Sequence, residues 1–269
     1  MNKVYLGVFA LILLAMPFVS ISETPTNALS TETLTYFSDG TLRRIDVPIL
    51  MYHYVGDLPE DADEYRVNLT ISTERFHAHM EYLQNVDYNT ISLYDLHNAL
   101  NNGMPLPSRP IILTFDDGYA NHFDNAFPLL QHYGFTGTFF VITDRSDNAD
   151  PAHLSWEHIQ QMAVSGMDIE SHTKSHPDLR NRDFDFLIFQ ILGSIESIAA
   201  HIGEDTKMFS YPAGRYDETT LRVLQTMPIA RAVTTQAGRL HTTDNYLEMT
   251  RLRISGDMSV AGLRQLLGG

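Results

Sequence analysis

The feature that most constrains the fold is a repeated order of apolar runs and helical segments along most of the chain. The predicted strands cover residues 47–53, 89–93, 110–115, 137–142, 166–171, 208–211, 229–235 and 251–255. Several are continuously apolar, which is typical of parallel strands with both faces buried. Strand and helix in alternation predict right-handed crossovers and a parallel sheet. We therefore expect an α/β fold, a distorted (β/α) barrel of seven to eight parallel strands in a single domain, with an open doubly wound sheet as the alternative.

The segments between these runs have the spacing of amphipathic helices. Residues 183–203 repeat apolar side chains at steps of three and four residues and end in Gly203, a typical helix stop. Residues 155–166 begin with Ser155, a common N-cap, and residues 72–86 show a similar apolar stripe. Each segment is therefore predicted to be a helix with one face on the sheet.

Composition excludes several classes of function. The chain has 269 residues, of which 43% are hydrophobic, enough for a folded core. Its formal net charge is −15, from 18 Lys and Arg against 33 Asp and Glu. This excess argues against nucleic acid or an anionic membrane surface as a partner. There are no cysteines, which excludes disulfides, thiol catalysis and thiolate metal sites.

The N-terminus has the pattern of an export signal. Lys3 precedes an apolar run at 4–19, and small polar residues follow it. Residues 1–22 are thus predicted to be a signal peptide, with an uncleaved membrane anchor as the alternative. Residues 23–45 are predicted to be a polar lead-in and 46–269 the barrel domain. The expected location is periplasmic or secreted, with no membrane contact beyond that anchor.

Polar residues follow several predicted strands at the point where each strand ends. Asp116 and Asp117 come after an apolar run, and His172, His53 and the sequence YPAG at 211–214 occupy equivalent places. The carboxyl ends of parallel strands share one face of a barrel, where active sites are built. These side chains are therefore expected to meet in one pocket.

The adjacent carboxylates Asp116 and Asp117 need a partner, because like charges so close disfavour ionisation of both. His172 and His176 are four residues apart, a spacing found among metal ligands, although two histidines alone are weak evidence. Two imidazoles and one carboxylate would form a three-ligand site with open positions, leaving the second carboxylate as a base. An Asp-Gly turn with a helix cap is the alternative, but it needs only one aspartate.

Four further candidates each have an ordinary structural interpretation. The backbone N–H of Ala213 could donate to an oxyanion, or the loop could be a simple corner. Tyr211 could form the wall of a sugar site or pack in the core, and His53 could be a catalyst or a buried core histidine. In the sequence RLRIS at 251–255, one arginine could pair with Asp116, or both could form surface salt bridges.

Together these motifs resemble those of the polysaccharide deacetylases, carbohydrate esterase family four. LTFDDGY is similar to the first family motif, SHTKSHPDL to the second and FSYPAGRYD to the third, and the similarity extends from about residue 46 to residue 256. PILMYHYV is similar to the branch that modifies exopolysaccharides such as poly-N-acetylglucosamine. The chain departs from many members at Ser210, where they have arginine, and in lacking a late histidine motif.

The resemblance implies a role for each matched residue. It assigns Asp117, His172 and His176 to the metal, and Asp116 to the general base. It assigns the general acid to His53, the support of Asp116 to Arg251, and substrate or oxyanion contacts to Tyr211, Pro212, Ala213 and Gly214.

The activity implied is hydrolysis of N-acetyl groups on an acetylated polysaccharide or oligosaccharide outside the cytoplasm. Zn²⁺ is the expected metal, and Co²⁺, Ni²⁺ or Mn²⁺ also suit the ligands. Two alternatives remain, an O-acetyl esterase acting on a glycan such as xylan and a catalytically silent glycan-binding domain of the same fold.

Overall fold

Seven parallel strands close into a barrel in the structure, a computed structural model that describes residues 39–269. The strands of this part of the chain are β1 (Arg44–Asp46), β2 (Ile49–Tyr52), β3 (Tyr54–Val55), β4 (Thr70–Ile71), β5 (Asn89–Thr90), β6 (Pro110–Phe115), β7 (Thr138–Val141), β8 (Asp168–Ser171), β9 (Met208–Ser210), β10 (Arg231–Ala237), β11 (Leu240–Thr242) and β12 (Met249–Arg253). The barrel order is β2, β12, β10, β9, β8, β7, β6, and pairing of β6 with β2 closes the ring. The predicted barrel is confirmed, and closure rules out the open sheet.

The predicted strand at 89–93 lies outside the ring. Only Asn89–Thr90 is extended, and it pairs with the start of β6. The side chains of Ser92 and Asp95 form a capping box that starts a helix at Leu93. Helix capping therefore shortened this strand, and the barrel has seven strands.

Helices follow most of the barrel strands and cover the outside of the ring. In the described residues they are α1 (Glu64–Leu69), α2 (Thr73–Asn85), α3 (Leu93–Asn102), α4 (Phe127–Tyr133), α5 (Thr143–Asp147), α6 (Trp156–Val164), α7 (Phe184–Ile202), α8 (Glu218–Gln225) and α9 (Val260–Leu266). Ser72 and Ser155 cap α2 and α6 through their side chains, and Gly203 ends α7 in the left-handed conformation. The three helices predicted from periodicity are all present.

Neighbouring residues of the barrel strands pack in different clusters, as expected for side chains that alternate between two faces. Leu113 belongs to a cluster that includes Met80 of α2, whereas Ile112 packs in a cluster with Phe140 and with Leu96 of α3. The face of β6 that carries Ile112 also carries Asp116 by this alternation. Asp116, a candidate catalytic residue, thus continues the buried face of β6.

Helix α7 is long and apolar enough to cross a membrane by length and composition alone. Its Leu187, Ile191 and Ile195 instead pack in one cluster with Phe209 of β9, so α7 is a core helix of the barrel. The predicted signal peptide, residues 1–22, lies outside the described residues. The end of the predicted lead-in forms β1, which pairs antiparallel with β11.

Candidate active site

A cavity of about 230 Å³ lies at the carboxyl ends of the barrel strands and brings together most of the residues predicted from sequence. The loops after β2, β6, β8 and β9 supply most of its walls. Its lining residues are His53, Tyr65, Asp116, Asp117, His172, His176, Ala213, Arg215, Thr235 and Arg253.

One oxygen of Asp117 and one nitrogen of each of two histidines converge in this cavity. Asp117 Oδ1 lies 3.2 Å from Nε2 of His172 and 3.3 Å from Nε2 of His176. The three ligand atoms all lie within 4.8 Å of one another. This spacing suits a single divalent cation bound by all three atoms, at bond lengths of about 2 Å.

The hydrogen bonds around these atoms fit a cation. The Nδ1–H of His172 donates to the carbonyl oxygen of Ser210 at 2.7 Å, which leaves the Nε2 lone pair facing Asp117. The hydroxyl of Tyr119 donates to Asp117 Oδ2 at 2.8 Å, while Oδ1 is buried and makes no hydrogen bond in the described part of the chain. Bare lone pairs that face each other in a buried site need a cation or a proton between them.

Burial and neighbouring charges shift the pKa values of Asp117 and His176. Burial raises the pKa of Asp117, but the nearby ring of His172, when it is protonated, outweighs burial and holds that pKa well below its usual range. Burial and the charge of His172 together lower the pKa of His176 to about 4. His176 is thus neutral near pH 7, as a metal ligand must be.

Asp116 is held by an arginine rather than by the histidines. Arg251 donates to both of its carboxylate oxygens, and neither side chain is appreciably exposed. Burial raises the pKa of Asp116, but the charge and hydrogen bonds of Arg251 prevail and bring it to about 2. The structure therefore keeps one carboxylate ionised beside the three converging ligand atoms.

The backbone after β6 requires unusual conformations to present two adjacent aspartates. Asp117 has φ +74° and Gly118 has φ +68°. A Cβ on Gly118 would lie 3.2 Å from the Cα of Val141 in β7. Aspartate tolerates a positive φ better than most residues, and strained backbone is often found at functional sites. The turn thus favours residues such as Asp117 and Gly118 that tolerate a positive φ.

Of the four residues predicted at 211–214, only Ala213 lines the cavity in the described structure. It adopts φ +52° within a short 3₁₀ turn. Tyr211 is fully buried, and its hydroxyl donates to the carbonyl oxygen of Leu247 at 2.8 Å. Tyr211 therefore packs in the core, the second of the two roles that the sequence left open, and Pro212 is also buried.

His53 borders the cavity and is 8% exposed. Burial lowers its pKa, and the charges of Asp116 and Asp117 oppose this effect. Its Nδ1 is buried and makes no hydrogen bond within the described residues. A ring with a buried, uncommitted nitrogen beside two carboxylates is suited to proton transfer.

Sequence reasoning missed several residues of the site. Tyr119 is part of the sequence FDDGY, but only the structure shows that its hydroxyl donates a hydrogen bond to Asp117. Ser210 and Thr114 contact Arg251 at 3.1 and 3.0 Å. Tyr65 comes from α1, a short helix that no pattern predicted.

Comparison with known proteins connects this geometry to one family. The family described as "Polysaccharide deacetylase" matches residues 103–232. The protein YxkH of Bacillus subtilis, named as a candidate polysaccharide deacetylase, is 29% identical over 213 residues, covering 79% of this chain and 73% of that protein. The poly-β-1,6-N-acetyl-D-glucosamine N-deacetylase of Staphylococcus epidermidis is 23% identical over 207 residues, covering 71% and 70%.

Solved structures show the same similarity. The deacetylase PplD of Streptococcus pyogenes, in complex with acetate, superposes with a TM-score of 0.79 at 27% sequence identity. The match covers 84% of this chain and 100% of that chain.

Proposed function

Because this chain is similar to polysaccharide deacetylases over most of its length, we propose that it is a metal-dependent hydrolase that removes N-acetyl groups from N-acetylhexosamine units of a polysaccharide. The observation that carries the proposal is the convergence of Asp117, His172 and His176 beside the separately paired Asp116. The name of the staphylococcal relative supports an amide rather than an ester substrate.

Asp117, His172 and His176 would hold the cation through Oδ1, Nε2 and Nε2. A bound divalent cation supplies a Lewis acid for the acetyl carbonyl oxygen and lowers the pKa of water. Zn²⁺ is our first choice, since it favours two imidazoles and a carboxylate, and Co²⁺, Ni²⁺ or Mn²⁺ would also fit. The hydroxyl of Tyr119 and the carbonyl oxygen of Ser210 form hydrogen bonds with Asp117 and His172, which orients these two ligands.

Asp116 would accept a proton from the attacking water. Its pKa of about 2 keeps it ionised throughout the physiological range. Arg251 donates to both oxygens, and the Ser210 hydroxyl also donates to Oδ2 at 3.4 Å, which leaves the second lone pair of Oδ1 available for the proton. Arg251 thus orients Asp116 and keeps it ionised, and it leaves the carboxylate able to accept a proton.

His53 would protonate the leaving nitrogen, because an amide nitrogen cannot depart as an anion. The water proton passes to Asp116, the C–N bond breaks, and nitrogen takes a proton from the His53 ring, giving acetate and a free amine. The backbone N–H of Ala213, which lines the same cavity, would donate to the carbonyl oxygen as it gains charge.

The test is acetate release from a panel of glycans: oligomers of β-1,6- and β-1,4-linked N-acetylglucosamine, and O-acetylated xylan. Release from an N-acetylated member, its loss with a chelator and its return with Zn²⁺ are the expected results. Faster release from acetylated xylan would favour the O-acetyl esterase. Binding of glycan with no metal-dependent release from any member would favour a silent binding domain.

Export is part of this proposal, because a polysaccharide outside the cytoplasm cannot readily reach a cytoplasmic enzyme. The pattern at residues 1–22 supports it. Fusion of these residues to a reporter that is active only after export would test the assignment.

A further inference from the structure

Three side chains that follow the Asp-Asp-Gly turn hold the backbone around His53. His122 Nε2–H donates to the carbonyl oxygen of His53 at 2.5 Å. Asn121 Oδ1 accepts from the N–H of Val55 at 3.3 Å, and Asn125 Nδ2 donates to the carbonyl oxygen of Val55 at 2.7 Å. Side chains of one short segment, residues 121–125, therefore bind the N–H and the carbonyl group of Val55 and the carbonyl group of His53.

This segment has an unusual shape. Residues His122–Ala126 form a π-helical turn, in which the N–H of Phe127 bonds to the carbonyl oxygen of His122. Such turns are rare and are frequently found at functional sites. His122 is fully buried, and Asn121 and Asn125 are half-buried. The chain thus maintains a less stable helix geometry where these three side chains face the loop after β2.

The position of His53 in the fold explains why it needs such support. It lies between two strands, at the point where the chain leaves the barrel after Tyr52. The next strand, β3, has only two residues and pairs with the equally short β4. Strands this short add little stability by themselves. Side-chain hydrogen bonds are consequently well placed to determine where the His53 ring lies.

We propose that His122, Asn121 and Asn125 are positioning residues for His53 in the deacetylation reaction. The inference rests on the proposed function, in which His53 protonates the leaving nitrogen. One continuous stretch, residues 116–125, then carries the base and a metal ligand at its start and the support of the acid at its end. One continuous segment therefore includes the base and forms hydrogen bonds to the backbone around the acid.

A positioning role has a signature that a general structural role lacks. Proton donation to the leaving group matters for an amide and matters little for an activated ester such as 4-nitrophenyl acetate. Misplacement of His53 should therefore slow amide hydrolysis selectively. A loss of fold or of metal would slow both reactions together.

The experiment compares full-chain variants on both substrates, with metal content measured for each. Asn125→Asp keeps the size of the side chain but removes the donor to Val55. It should lower kcat for an N-acetylglucosamine oligomer by about tenfold or more and leave ester turnover within about twofold. His122→Phe should do the same, and His122→Gln should restore much of the rate, since its amide N–H can replace Nε2–H. Asp124→Asn, an exposed neighbour in the same turn, is the matched control.

His53→Gln separates failure of the inference from failure of the proposed function. Loss of amide turnover in His53→Gln, with no further loss in the double variant His53→Gln/Asn125→Asp, would support positioning. If His53→Gln loses amide turnover and Asn125→Asp does not, the positioning role is wrong and the acid assignment stands. If His53→Gln hydrolyses the amide normally, the acid assignment itself is wrong. Should His122→Phe fail to fold, Asn125→Asp decides.

Discussion

The guanidinium of Arg251 donates to both carboxylate oxygens of Asp116, at 2.7 Å to Oδ1 and 2.6 Å to Oδ2. Arg251 lies in β12 and Asp116 directly follows β6, and β2 separates these two strands in the barrel. Arg251 also donates to the carbonyl oxygen of Thr234 in β10 at 2.9 Å. A single buried cation therefore joins several strands at the catalytic end of the barrel and holds the proposed base in its ionised form.

We expect Arg251→Met to be strongly destabilising. It leaves the Asp116 carboxylate buried without a cation, and breaking a buried pair in this way costs about 3–5 kcal/mol. Arg253→Met is the matched stability control, because Arg253 lies two residues along the same strand and is exposed. Urea denaturation of both variants measures the difference. Equal stability of the two variants would mean that the buried pair does little for the fold.

Asp116→Asn and Asp117→Asn should fail for different reasons. Asp117→Asn removes the only carboxylate of the three-ligand cluster and should lose metal on dialysis. Asp116→Asn should keep the metal and lose about 100-fold or more in turnover, since it can no longer accept a proton. Metal content by mass spectrometry and acetate release distinguish them. An active Asp116→Asn enzyme would remove the base assignment.

Stability should fall in mild acid because of buried histidines remote from the metal ligands. Burial lowers the pKa of His79 to about 4 from its ordinary 6.5, and its Nδ1 lies 3.2 Å from the Tyr52 hydroxyl. The unfolded chain therefore binds a proton between pH 6.5 and 4 that the folded chain does not. The contribution is complete above pH 6.5 and is lost as pH falls to 4, by at most about 3 kcal/mol.

The free energy of unfolding of chelator-treated protein, measured from pH 7 to 4.5, tests this prediction. His79→Gln should flatten the pH dependence, because glutamine does not titrate. His241, whose pKa burial also lowers to about 4, should still supply part of the slope in that variant. Parallel curves for wild type and His79→Gln would contradict the assignment.

Gly214→Ala and Gly134→Ala form a matched pair, since both glycines have φ +65°. A Cβ on Gly214 would clash with Oγ1 of Thr235, whereas a Cβ on Gly134 meets nothing within 4 Å. Gly134→Ala should cost about 1 kcal/mol, from backbone strain alone. Gly214→Ala should cost more and should also slow acetate release, because Ala213 and Thr235 both line the cavity. Thermal melts and rates of the two variants provide the comparison.

Local patterns in the sequence were enough to predict the barrel and the helices with strong periodicity. The cap at Ser155 and the stop at Gly203 were readable because capping depends on a few neighbouring residues. The length of the strand predicted at 89–93 was overestimated, again because of local capping. The capping box of Ser92 and Asp95 outweighed the apolar pattern that suggested an extended chain.

The residues of the candidate site were likewise predicted only in part from the sequence. Asp116, Asp117, His172 and His176 were predicted because their chemistry and their places at strand ends are visible in the chain itself. The residues alone left open whether Arg251 or Arg253 faces Asp116, although the family resemblance pointed to Arg251. They also left open whether Tyr211 packs in the core or faces the cavity. Those questions concern distances between residues far apart in sequence.

The sequence by itself determined the alternation of strands and helices, the set of candidate ligands and the Asp-Asp-Gly turn, because each depends on the chemistry of neighbouring residues. Only the tertiary structure decided which side chains meet: Arg251 with Asp116 across the barrel, and His122 with the backbone of His53. The physical reason is that closure of the ring fixes the strand register, and a shift of one residue turns a side chain from the cavity to the opposite face.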